Sequence, residues 1–414
     1  MSLAGDEATA SRLVARSVVA DHAPDPGGIV APINSIVSPR RALHTHGVAG
    51  RVELPAPWPD HVHLVAAALD AIGRDDEVHT PGSGPVALGA LPFDRTAPAT
   101  LVIPEVLHGR TAEGARWSTS ISPQGAATAH GDAPPPAGPA APDSLQVSSM
   151  RPSAEWCDAV AAATARIRSG ALTKVVLARE LVVEANRPID PARLFDRLSR
   201  RYPHAITFCV DGFVGASPEL LVSRVGEMVR AQPMAGTTPR TGDPEADQRR
   251  AAELLSSPKN RAEHQITIDV VHDALLPFCS YLDAEPTPSV VSAGPVQHLA
   301  TVVEGRLSRP AASVLELVAA LHPTPAVGGW PRDAALELIA ELEGADRGRY
   351  AGPVGWVDAD GNGAWAVGIR AASVDGDTAR CFAGVGVVAD SDPSTELEET
   401  RAKAEAILSA ILRP

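Results

Sequence analysis

The last part of the chain shows the clearest alternation of apolar and polar positions. The stretch from Gly384 to Ile407 predicts a strand, a turn and a helix, and Thr395 with Glu398 has the form of a capping box where that helix starts. The apolar stripe of this helix would consist of Leu397, Ala404, Leu408 and Ile411. Its neighbouring face would carry Glu396, Glu399 and Lys403. Acids in a first turn can serve only to interact with the helix dipole, so this helix alone does not predict a site.

A second predicted helix begins at Ser257 and Pro258 and also carries a carboxylate. Glu263 falls on the stripe of its apolar positions, which are Ile266, Val270 and Ala274. A carboxylate in a buried stripe needs a cation or hydrogen-bond donors, because burying an unpaired charge is very costly. Glutamates from two helices, together with oxygens of a bound substrate, suit Mg²⁺, which takes few protein ligands and keeps its waters.

A lysine at the start of a predicted strand is a candidate for proton transfer. Residues Ser153 to Arg168 predict a helix, and Thr173 to Arg179 predict the strand that follows. In this strand Lys174 faces the same side as Val176 and Ala178. Such a lysine is either a gatekeeper on an edge strand or, if it is buried near a cleft, a general base, because burial favours the neutral amine. The pattern leaves both interpretations open.

A predicted hairpin places a glutamate next to a proline. The run that starts at Ile206 predicts a hairpin that turns at Asp211 and Gly212. The strand-like run after it, Ala216 to Val222, contains a proline directly before Glu219. Proline within a strand indicates an edge or a bulge, and at such a point Glu219 could be directed into a cleft instead of into solvent.

A later hairpin ends near an arginine. Asp358 to Gly363 resembles the start of an EF-hand loop, but Ile369 occupies the position of the bidentate glutamate and strand-like residues follow, so we interpret the segment as a hairpin turn. In the returning strand Arg370 lies at the end of a face of small residues. A guanidinium in such a groove suits bidentate binding of a carboxylate.

Composition narrows the class of protein. A chain of 414 residues that is 44% hydrophobic, without an apolar run long enough to cross a bilayer, predicts a soluble globular protein of one or two domains. The segment Met1 to Asp6 lacks the features of a signal peptide, and the four cysteines show no paired spacing, so we expect a cytoplasmic protein. The net charge of −14 argues against nucleic acid or an anionic membrane as a partner. An anionic substrate would therefore need a local basic pocket.

The pattern is weakest in the N-terminal part. Residues 1–150 contain only short strand-like and helical stretches, and they end in a Pro/Ala-rich loop around Pro134 to Pro142. We expect residues 1–150 to form an N-terminal part of the fold. Residues 151–414 would then form the catalytic region.

The order of short motifs resembles one known family. Between about Lys174 and Lys403 the chain contains Lys-Val-Val-Leu-Ala-Arg, Ala-Ser-Pro-Glu-Leu-Leu, Pro-Met-Ala-Gly-Thr, Lys-Asn-Arg-Ala-Glu-His, Gln-His-Leu-Ala-Thr, His-Pro-Thr-Pro-Ala-Val-Gly-Gly and the stretch that begins at Gly384. In this order they resemble the chorismate-utilising enzymes, which include isochorismate, salicylate, anthranilate and aminodeoxychorismate synthases, and they are most similar to the isochorismate synthases. The resemblance implies an α+β fold in which two large β-sheets pack together with helices on the outside.

The resemblance also implies roles for the candidate residues. Lys174 matches the base that activates water, and Glu219 matches the acid that protonates a leaving hydroxyl. Mg²⁺ would be held by Glu263 and Glu399, with Glu396 close to it or bridged by water. The implied substrate contacts are a hydroxyl at His298, a carboxylate at Arg370, Lys403 and the backbone of Gly386, and Tyr350 nearby.

The implied activity is the Mg²⁺-dependent isomerisation of chorismate to isochorismate, in which water adds at C2 and the C4 hydroxyl leaves. Ala235 stands where aminodeoxychorismate synthases have a nucleophilic lysine, and anthranilate synthases lack a lysine that matches Lys174. We therefore expect no glutamine amidotransferase subunit, and we expect a monomer.

Two alternatives remain open. The first is salicylate synthase, which goes on to eliminate pyruvate, although the loop His322 to Ala326 resembles the isochorismate synthase version. The second is a non-catalytic paralogue that binds chorismate-type ligands. Whether the product would serve menaquinone, a catecholate siderophore or salicylate is also open.

Overall fold

The computed structural model describes residues 13–20, 34–124 and 140–412, and the statements below refer to these residues. The start of the chain and most of the predicted Pro/Ala-rich loop lie outside the described residues. The α-helices are α1 (His63–Asp70), α2 (Ser153–Arg168), α3 (Pro191–Arg201), α4 (Pro244–Ser256), α5 (Pro258–Leu275), α6 (Val314–Leu321), α7 (Arg332–Glu343) and α8 (Pro393–Leu412). Short 3₁₀ turns occur at Trp58–His61 and Leu276–Phe278.

The strands occur along the whole described chain. Before α2 they are β1 (Leu13–Val19), β2 (Asn34–Val37), β3 (Arg41–His46), β4 (Gly50–Leu54), β5 (Gly73–Asp76), β6 (Val86–Ala90), β7 (Ala99–Ile103), β8 (Val106–Thr111), β9 (Arg116–Pro123) and β10 (Leu145–Ser149). Between α2 and α4 they are β11 (Lys174–Ala185), β12 (Ile206–Val210), β13 (Phe213–Ser217), β14 (Leu220–Val225), β15 (Met228–Gln232) and β16 (Met234–Pro239). After α5 they are β17 (Cys279–Ala284), β18 (Ser289–Ala293), β19 (Val296–Ala300), β20 (Val303–Leu307), β21 (Gly329–Trp330), β22 (Pro353–Asp358), β23 (Gly363–Val367), β24 (Ala371–Asp375) and β25 (Thr378–Val387).

Three sheets contain these strands. The largest has 13 strands in the order β10-β11-β25-β24-β13-β12-β2-β3-β8-β9-β1-β5, with β21 paired to β11. The second has nine strands in the order β17-β20-β15-β14-β23-β22-β6-β7-β4. A small sheet has three strands in the order β16-β19-β18. Strands from before and after α2 occur in both large sheets.

The two large sheets pack face to face around an aromatic and aliphatic core. The largest sheet contributes Leu43, Trp117, Phe208 and Phe213, and the second contributes Leu88 and Trp356. A separate cluster fills the space between the outer face of the largest sheet and helices α3 and α8. Helices α5 and α6 pack on the second sheet. The expected architecture of two packed sheets with helices outside is confirmed, and the small third sheet is an addition to it.

Two neighbouring strands pass from one large sheet to the other at the same place. β13 pairs with β24 in the largest sheet, whereas their continuations β14 and β23 pair in the second sheet. Pro218 and Glu219 connect β13 to β14, and the segment 368–370 connects β23 to β24. Backbone hydrogen bonds join the two connections, from the Val367 N–H to the Glu219 carbonyl at 3.1 Å and from the Ala216 N–H to the Arg370 carbonyl at 3.3 Å. Glu219 and Arg370 therefore lie together at the junction of the sheets.

Several local predictions are confirmed. Helix α2 spans Ser153–Arg168 and buries Trp156, as its spacing predicts. The hairpin between β12 and β13 turns at Asp211 and Gly212, which have φ of 45° and 77°, as the two-residue turn requires. Helix α5 begins after Ser257, whose hydroxyl accepts a hydrogen bond from the Asn260 N–H. Asp358 to Gly363 forms the predicted turn between β22 and β23.

Three local predictions are wrong. Helix α8 starts at Pro393, and its first turn is capped by Asp392, whose carboxylate accepts the Thr395 N–H at 2.9 Å; Glu398 pairs with Arg401 instead of closing a capping box. In α5 the buried stripe is His264, Thr267, Ile268, Val271 and Leu275, so the predicted stripe of Ile266, Val270 and Ala274 is only half-buried. Strand β23 ends at Val367, and Arg370 has a φ of 54°, so Arg370 belongs to the connection and not to the strand. Tertiary packing determines these boundaries, which local sequence signals place only approximately.

No helix among the described residues combines the length and the apolar character that crossing a membrane would require.

Candidate active site

A cavity of about 250 Å³ opens at the junction of the sheets. Its walls contain every candidate residue that the sequence identified, namely Lys174, Glu219, Glu263, His298, Tyr350, Arg370, Gly386, Glu396, Glu399 and Lys403. These residues come from β11, α5, β19, β25, α8, the two connections between sheets and the loop between α7 and β22. A single cavity thus brings together residues from Lys174 to Lys403.

Lys174 lies at the first position of β11 and is 3% exposed. β11 is flanked by β25 on one side and by β21 and β10 on the other, so Lys174 is not a gatekeeper on a free edge. Its Nζ lies 2.7 Å from Glu263 Oε1. Burial by itself would raise the pKa of Glu263, but the charge and hydrogen bond of Lys174 outweigh burial and lower it.

Gly386 lies on β25, directly across from the lysine strand. A Cβ at this position would come within 2.9 Å of the Lys174 Cε and 3.3 Å of Glu263 Oε1. A side chain at this position would push the end of Lys174 aside. Gly386 therefore leaves room for the lysine beside Glu263.

Glu219 is the carboxylic acid at the junction, and it is 4% exposed. Burial raises its pKa from 4.5 to about 7, although the Met234 N–H and the cations Lys174, Arg370 and Lys403 favour the charged form. A carboxyl group with this pKa is partly protonated near neutral pH. It can therefore donate a proton, as a general acid must.

Arg370 is held by a neutral histidine. Burial and the nearby Arg370 charge lower the pKa of His298 well below its ordinary value, so the imidazole is neutral. Its Nδ1 lies 3.3 Å from the Gly236 carbonyl, which can only accept, so Nδ1 carries the proton and Nε2 accepts a hydrogen bond from Arg370 Nη2 at 3.2 Å. The Nε of Arg370 is buried and has no hydrogen-bond partner among the described residues. Arg370 lines the cavity, and a guanidinium group at a cavity wall is suited to an anionic ligand.

Tyr350 and Lys403 complete the wall near β25. Tyr350 is 5% exposed and stacks on Phe382, with ring centroids 5.2 Å apart. Lys403 Nζ donates to the Gly384 carbonyl at 3.0 Å and lies 2.7 Å from Glu399 Oε1. The predicted charged face of α8 is therefore the face that lines the cavity.

The cavity is balanced in charge and not simply basic. Its lining contains four cationic side chains, Lys174, Lys259, Arg370 and Lys403, and four carboxylates, Glu219, Glu263, Glu396 and Glu399. Burial raises the pKa of Glu396, and repulsion from Glu399 adds to this increase. A hydrogen bond from Ser391 acts in the opposite direction. A dianionic substrate would meet a cavity without net positive charge unless a cation or protons neutralised some of these acids.

The carboxylates have the right chemistry for a divalent cation but are not preassembled around one point. No group of three or more His, Cys, Asp or Glu side chains is arranged to hold a metal ion anywhere in residues 13–20, 34–124 or 140–412. Glu263 on α5 and Glu399 on α8 nevertheless line the same cavity, with Glu396 one turn before Glu399. Mg²⁺ fits such a donor set, because it binds through one or two carboxylates and keeps several waters.

Sequence reasoning assigned no role to some residues of the site. Lys259, Asn260 and Thr237 line the cavity, although all three lie within quoted motifs. Of the loop from His322 to Gly329, only Ala326 and Val327 reach the cavity. These two adjacent residues lie in a segment of irregular backbone, so no periodicity could have identified them.

A buried ion pair behind the cavity also gave no sequence signal. Arg347 and Glu343 form an i,i+4 pair whose side chains are 2% and 5% exposed. Arg347 donates to the carbonyls of Val327 and Val176, at 2.8 and 2.7 Å, while Glu343 accepts the Ala178 N–H at 2.7 Å. β11 lacks a strand partner on this side between β21 and β10, and the ion pair supplies the missing donor and acceptor. Through Arg347, the ion pair links β11, the strand of Lys174, to the loop that contains Val327.

Comparison with protein families, known proteins and solved structures shows what this chain is similar to. The profile of the family described as "Chorismate binding enzyme" matches residues 60–412. The chain is 41% identical over 340 residues to isochorismate synthase DhbC of Bacillus subtilis, covering 80% of this chain and 81% of that protein. It is 44% identical over 345 residues to the putative isochorismate synthase MenF of Mycobacterium tuberculosis, covering 80% and 87% of the two chains. The crystal structure of the putative 2,3-dihydroxybenzoate-specific isochorismate synthase DhbC from Bacillus anthracis superposes with a TM-score of 0.78 at 36% identity, covering 92% of this chain and 96% of that chain.

The raised pKa of Glu219 predicts how stability depends on pH. Its folded pKa of about 7 lies above its ordinary value of 4.5, so the folded state binds the proton more tightly and this group costs stability as pH rises through that range. Glu219→Gln cannot ionise, so its melting temperature relative to the natural protein should rise between about pH 5 and pH 7 and level off above the folded pKa. The exposed Glu398→Gln is the control and should show no such trend. Thermal unfolding measured across this range would contradict the assignment if the difference stayed constant.

The Arg347 network predicts a specific loss of stability. Arg347→Lys keeps the charge beside Glu343 but cannot reach the carbonyls of both Val176 and Val327. Leaving buried carbonyls unsatisfied costs about 1–3 kcal/mol each, so we expect a loss of roughly 2–4 kcal/mol in the free energy of unfolding.

The matched control is Arg349→Lys. Arg349 also donates to backbone carbonyls, those of Val210 and Asp211, but the latter contact is exposed. Urea unfolding should show a loss of less than about 1 kcal/mol for this variant. Equal losses for Arg347→Lys and Arg349→Lys would mean that the network does not anchor the strand.

Proposed function

This chain belongs to the chorismate-binding enzymes, and we propose that within this family it is an isochorismate synthase, an isomerase that converts chorismate to isochorismate. The observation that carries the proposal is the single cavity in which Lys174, Glu219 and Arg370 are buried together. The support from relatives is extensive, since proteins described as isochorismate synthases are 41% and 44% identical to it over 80% of the chain.

The reaction needs one proton acceptor and one proton donor. Water forms a bond to C2 of the ring, the ring double bonds shift, and the C4–O bond breaks. Lys174 would take the proton of the attacking water, and Glu219 would give its proton to the departing hydroxyl, which leaves as water. The pKa of about 7 supports Glu219 as the donor. Lys174 can accept a proton only as the amine, so its contact with Glu263 at 2.7 Å must loosen first.

The cavity offers separate groups to hold the substrate. Arg370 lines the cavity and its guanidinium group is held by His298, so a substrate carboxylate could accept from this group. Lys403 and the backbone of Gly386 would hold the same carboxylate from the side of β25. His298 keeps the guanidinium oriented through its 3.2 Å hydrogen bond, and it would contact a ring hydroxyl only if Nε2 exchanged Arg370 for that hydroxyl. Tyr350 would close the pocket. Holding both reactants in this geometry lowers the entropic part of the barrier.

We also propose that the enzyme uses Mg²⁺. Glu263 and Glu399 would be its protein ligands, with Glu396 close or bridged by water. When bound, the ion would neutralise part of the acidic lining and place the ring carboxylate of chorismate. The equal numbers of cations and carboxylates in the lining support this role, because a dianion needs additional positive charge.

The sibling activities are less well supported. Ala235 lines the cavity and offers no nucleophile, unlike the lysine of aminodeoxychorismate synthases. The proposed reaction uses water and not ammonia, so we propose that it needs no glutamine amidotransferase subunit, and we propose a monomer. The loop residues Ala326 and Val327 shape the wall that would decide whether isochorismate is released or loses pyruvate, as it does in the alternative, salicylate synthase.

Product analysis tests the function. Purified protein incubated with chorismate and Mg²⁺ should reach an equilibrium mixture of chorismate and isochorismate, and the same mixture should form from isochorismate. Lys174→Ala should lower turnover on the order of 10²-fold or more, the scale of general acid–base catalysis. Stoichiometric release of pyruvate and salicylate, faster than isochorismate decays by itself, would assign salicylate synthase instead. Absence of any product would favour a non-catalytic chorismate-binding protein.

Metal dependence is tested through the glutamates. Glu263→Gln and Glu399→Gln should sharply weaken Mg²⁺ binding, measured by calorimetry, and should lower turnover while the fold persists, because an amide is a much weaker ligand than a carboxylate. Glu398→Gln is the matched control, since Glu398 lies on the same helix but pairs with Arg401 at the surface. Full activity in excess chelator would contradict the metal assignment.

A further inference from the structure

A second cavity, of about 550 Å³, shares two residues with the active-site cavity. It is bounded by the end of α3, the turn after β16, the turn between β18 and β19, and α8, and both cavities are lined by Pro218 and Arg370. Its volume falls within the range typical of sites for small molecules, about 300–1,000 Å³. None of the proposed catalytic steps uses it.

The walls of this cavity combine flat rings with arginines. The planar rings are those of Tyr202 and His204, and three prolines add apolar surface. The charged side chains are Arg201, Arg240, Arg370 and Glu405. In a chain with a net charge of −14, three arginines against one carboxylate around one cavity are a marked local departure. Walls of this kind suit a planar anion, because the rings contact its faces and the guanidinium groups bind its charge.

The three arginines differ in how far they are already engaged. Arg240 pairs with Asp247 at 3.2 Å and donates to the Gly294 carbonyl. Arg201 is exposed, forms no ion pair within the described part of the chain, and lies 5.8 Å from the centroid of the Tyr202 ring. Arg370 is 7% exposed, and its Nη2 donates to His298 at 3.2 Å. Arg201 therefore offers the guanidinium group that is least engaged within the described residues.

The aromatic wall is formed in advance of any ligand. Gly294, in the turn between β18 and β19, has a φ of 65°, and a Cβ there would lie 3.1 Å from the Tyr202 ring. The turn thus packs directly against the tyrosine and holds its ring in place. A fixed ring reduces the entropic cost of ligand binding.

We propose that this second cavity binds a small aromatic carboxylate, with its ring against Tyr202 and its carboxylate on Arg201 and Arg370, and that occupancy weakens substrate binding in the active-site cavity. The coupling follows from the shared arginine. A carboxylate beside Arg370 in the second cavity repels an anion beside Arg370 in the first, and both compete for the same positive charge. The affinity for each anion must then fall by the same factor when the other is bound.

Direct binding tests the site without reference to the proposed enzymatic activity. The probe is benzoate, titrated by calorimetry into the intact protein and into Arg201→Gln. Benzoate should bind the natural protein, and Arg201→Gln should weaken this binding on the order of tenfold. Arg200→Gln is the matched control, because Arg200 is the neighbouring exposed arginine but pairs with Asp196 and does not line the cavity. Benzoate should bind this variant as tightly as it binds the natural protein. Equal affinities in all three proteins would overturn the proposal.

Two further binding measurements test which ligand chemistry is recognised and where the ligand binds. Cyclohexanecarboxylate has the same charge but no planar ring, so it should bind several-fold more weakly than benzoate, and equal affinity would overturn the aromatic assignment. Ala293→Leu adds volume to the cavity wall and should weaken benzoate binding even though every arginine is retained. Unchanged binding in Ala293→Leu would place the benzoate elsewhere.

The coupling is tested by kinetics. Saturating benzoate should raise the KM for chorismate at least several-fold in the natural protein, and this effect should be lost in Arg201→Gln, whose kcat and KM without benzoate should be unchanged. If benzoate inhibits both proteins equally, it binds only in the active-site cavity and the regulatory role is refuted. A failure of the proposed isochorismate synthase activity would be visible separately, because the binding arms do not depend on chorismate.

Discussion

The passage of two paired strands from one large sheet to the other is the constraint on which the site depends. β13 and β24 are paired in the first sheet and β14 and β23 in the second, so their connections must lie side by side. Because the sheets pack face to face, this junction is surrounded by core on both sides. Any polar side chain placed there is removed from water, and Glu219 and Arg370 are both placed there.

Burial explains the unusual chemistry of these side chains. In the low dielectric of the junction, the charged form of Glu219 is disfavoured and its pKa rises to about 7. The same environment makes His298 neutral, so that it accepts a hydrogen bond from Arg370 instead of repelling it. Such an arrangement costs stability, because buried ionisable groups are only partly satisfied by their neighbours. It also leaves charges and donors fixed in position before a substrate arrives, which is the basis of electrostatic catalysis.

Contacts around the site offset part of the stability that is lost by burying ionisable groups at the junction. Arg347 and Glu343 supply hydrogen bonds that β11 would otherwise lack, and they join the lysine strand to the loop of Val327.

Arg370 is shared by two cavities. One guanidinium can therefore respond to ligands in both, which is a physical route by which a second anion could control the first.

The sequence alone determined the candidates for the site and much of the local structure. The periodicity of α2, the turn at Asp211 and Gly212, and the charged face of α8 follow from local rules, and the ordered motifs indicated the family and ten of the residues that line the cavity. Only the tertiary structure decided where the strands end, that Asp392 caps α8, that the α5 stripe is shifted, and that Arg370 lies in a connection at positive φ. It alone showed the ion pair behind β11 and the second cavity. These features depend on contacts between residues far apart in the chain, such as Arg347 with Val176, and the conformation of a segment under such contacts is set by its partners and not by its own propensity.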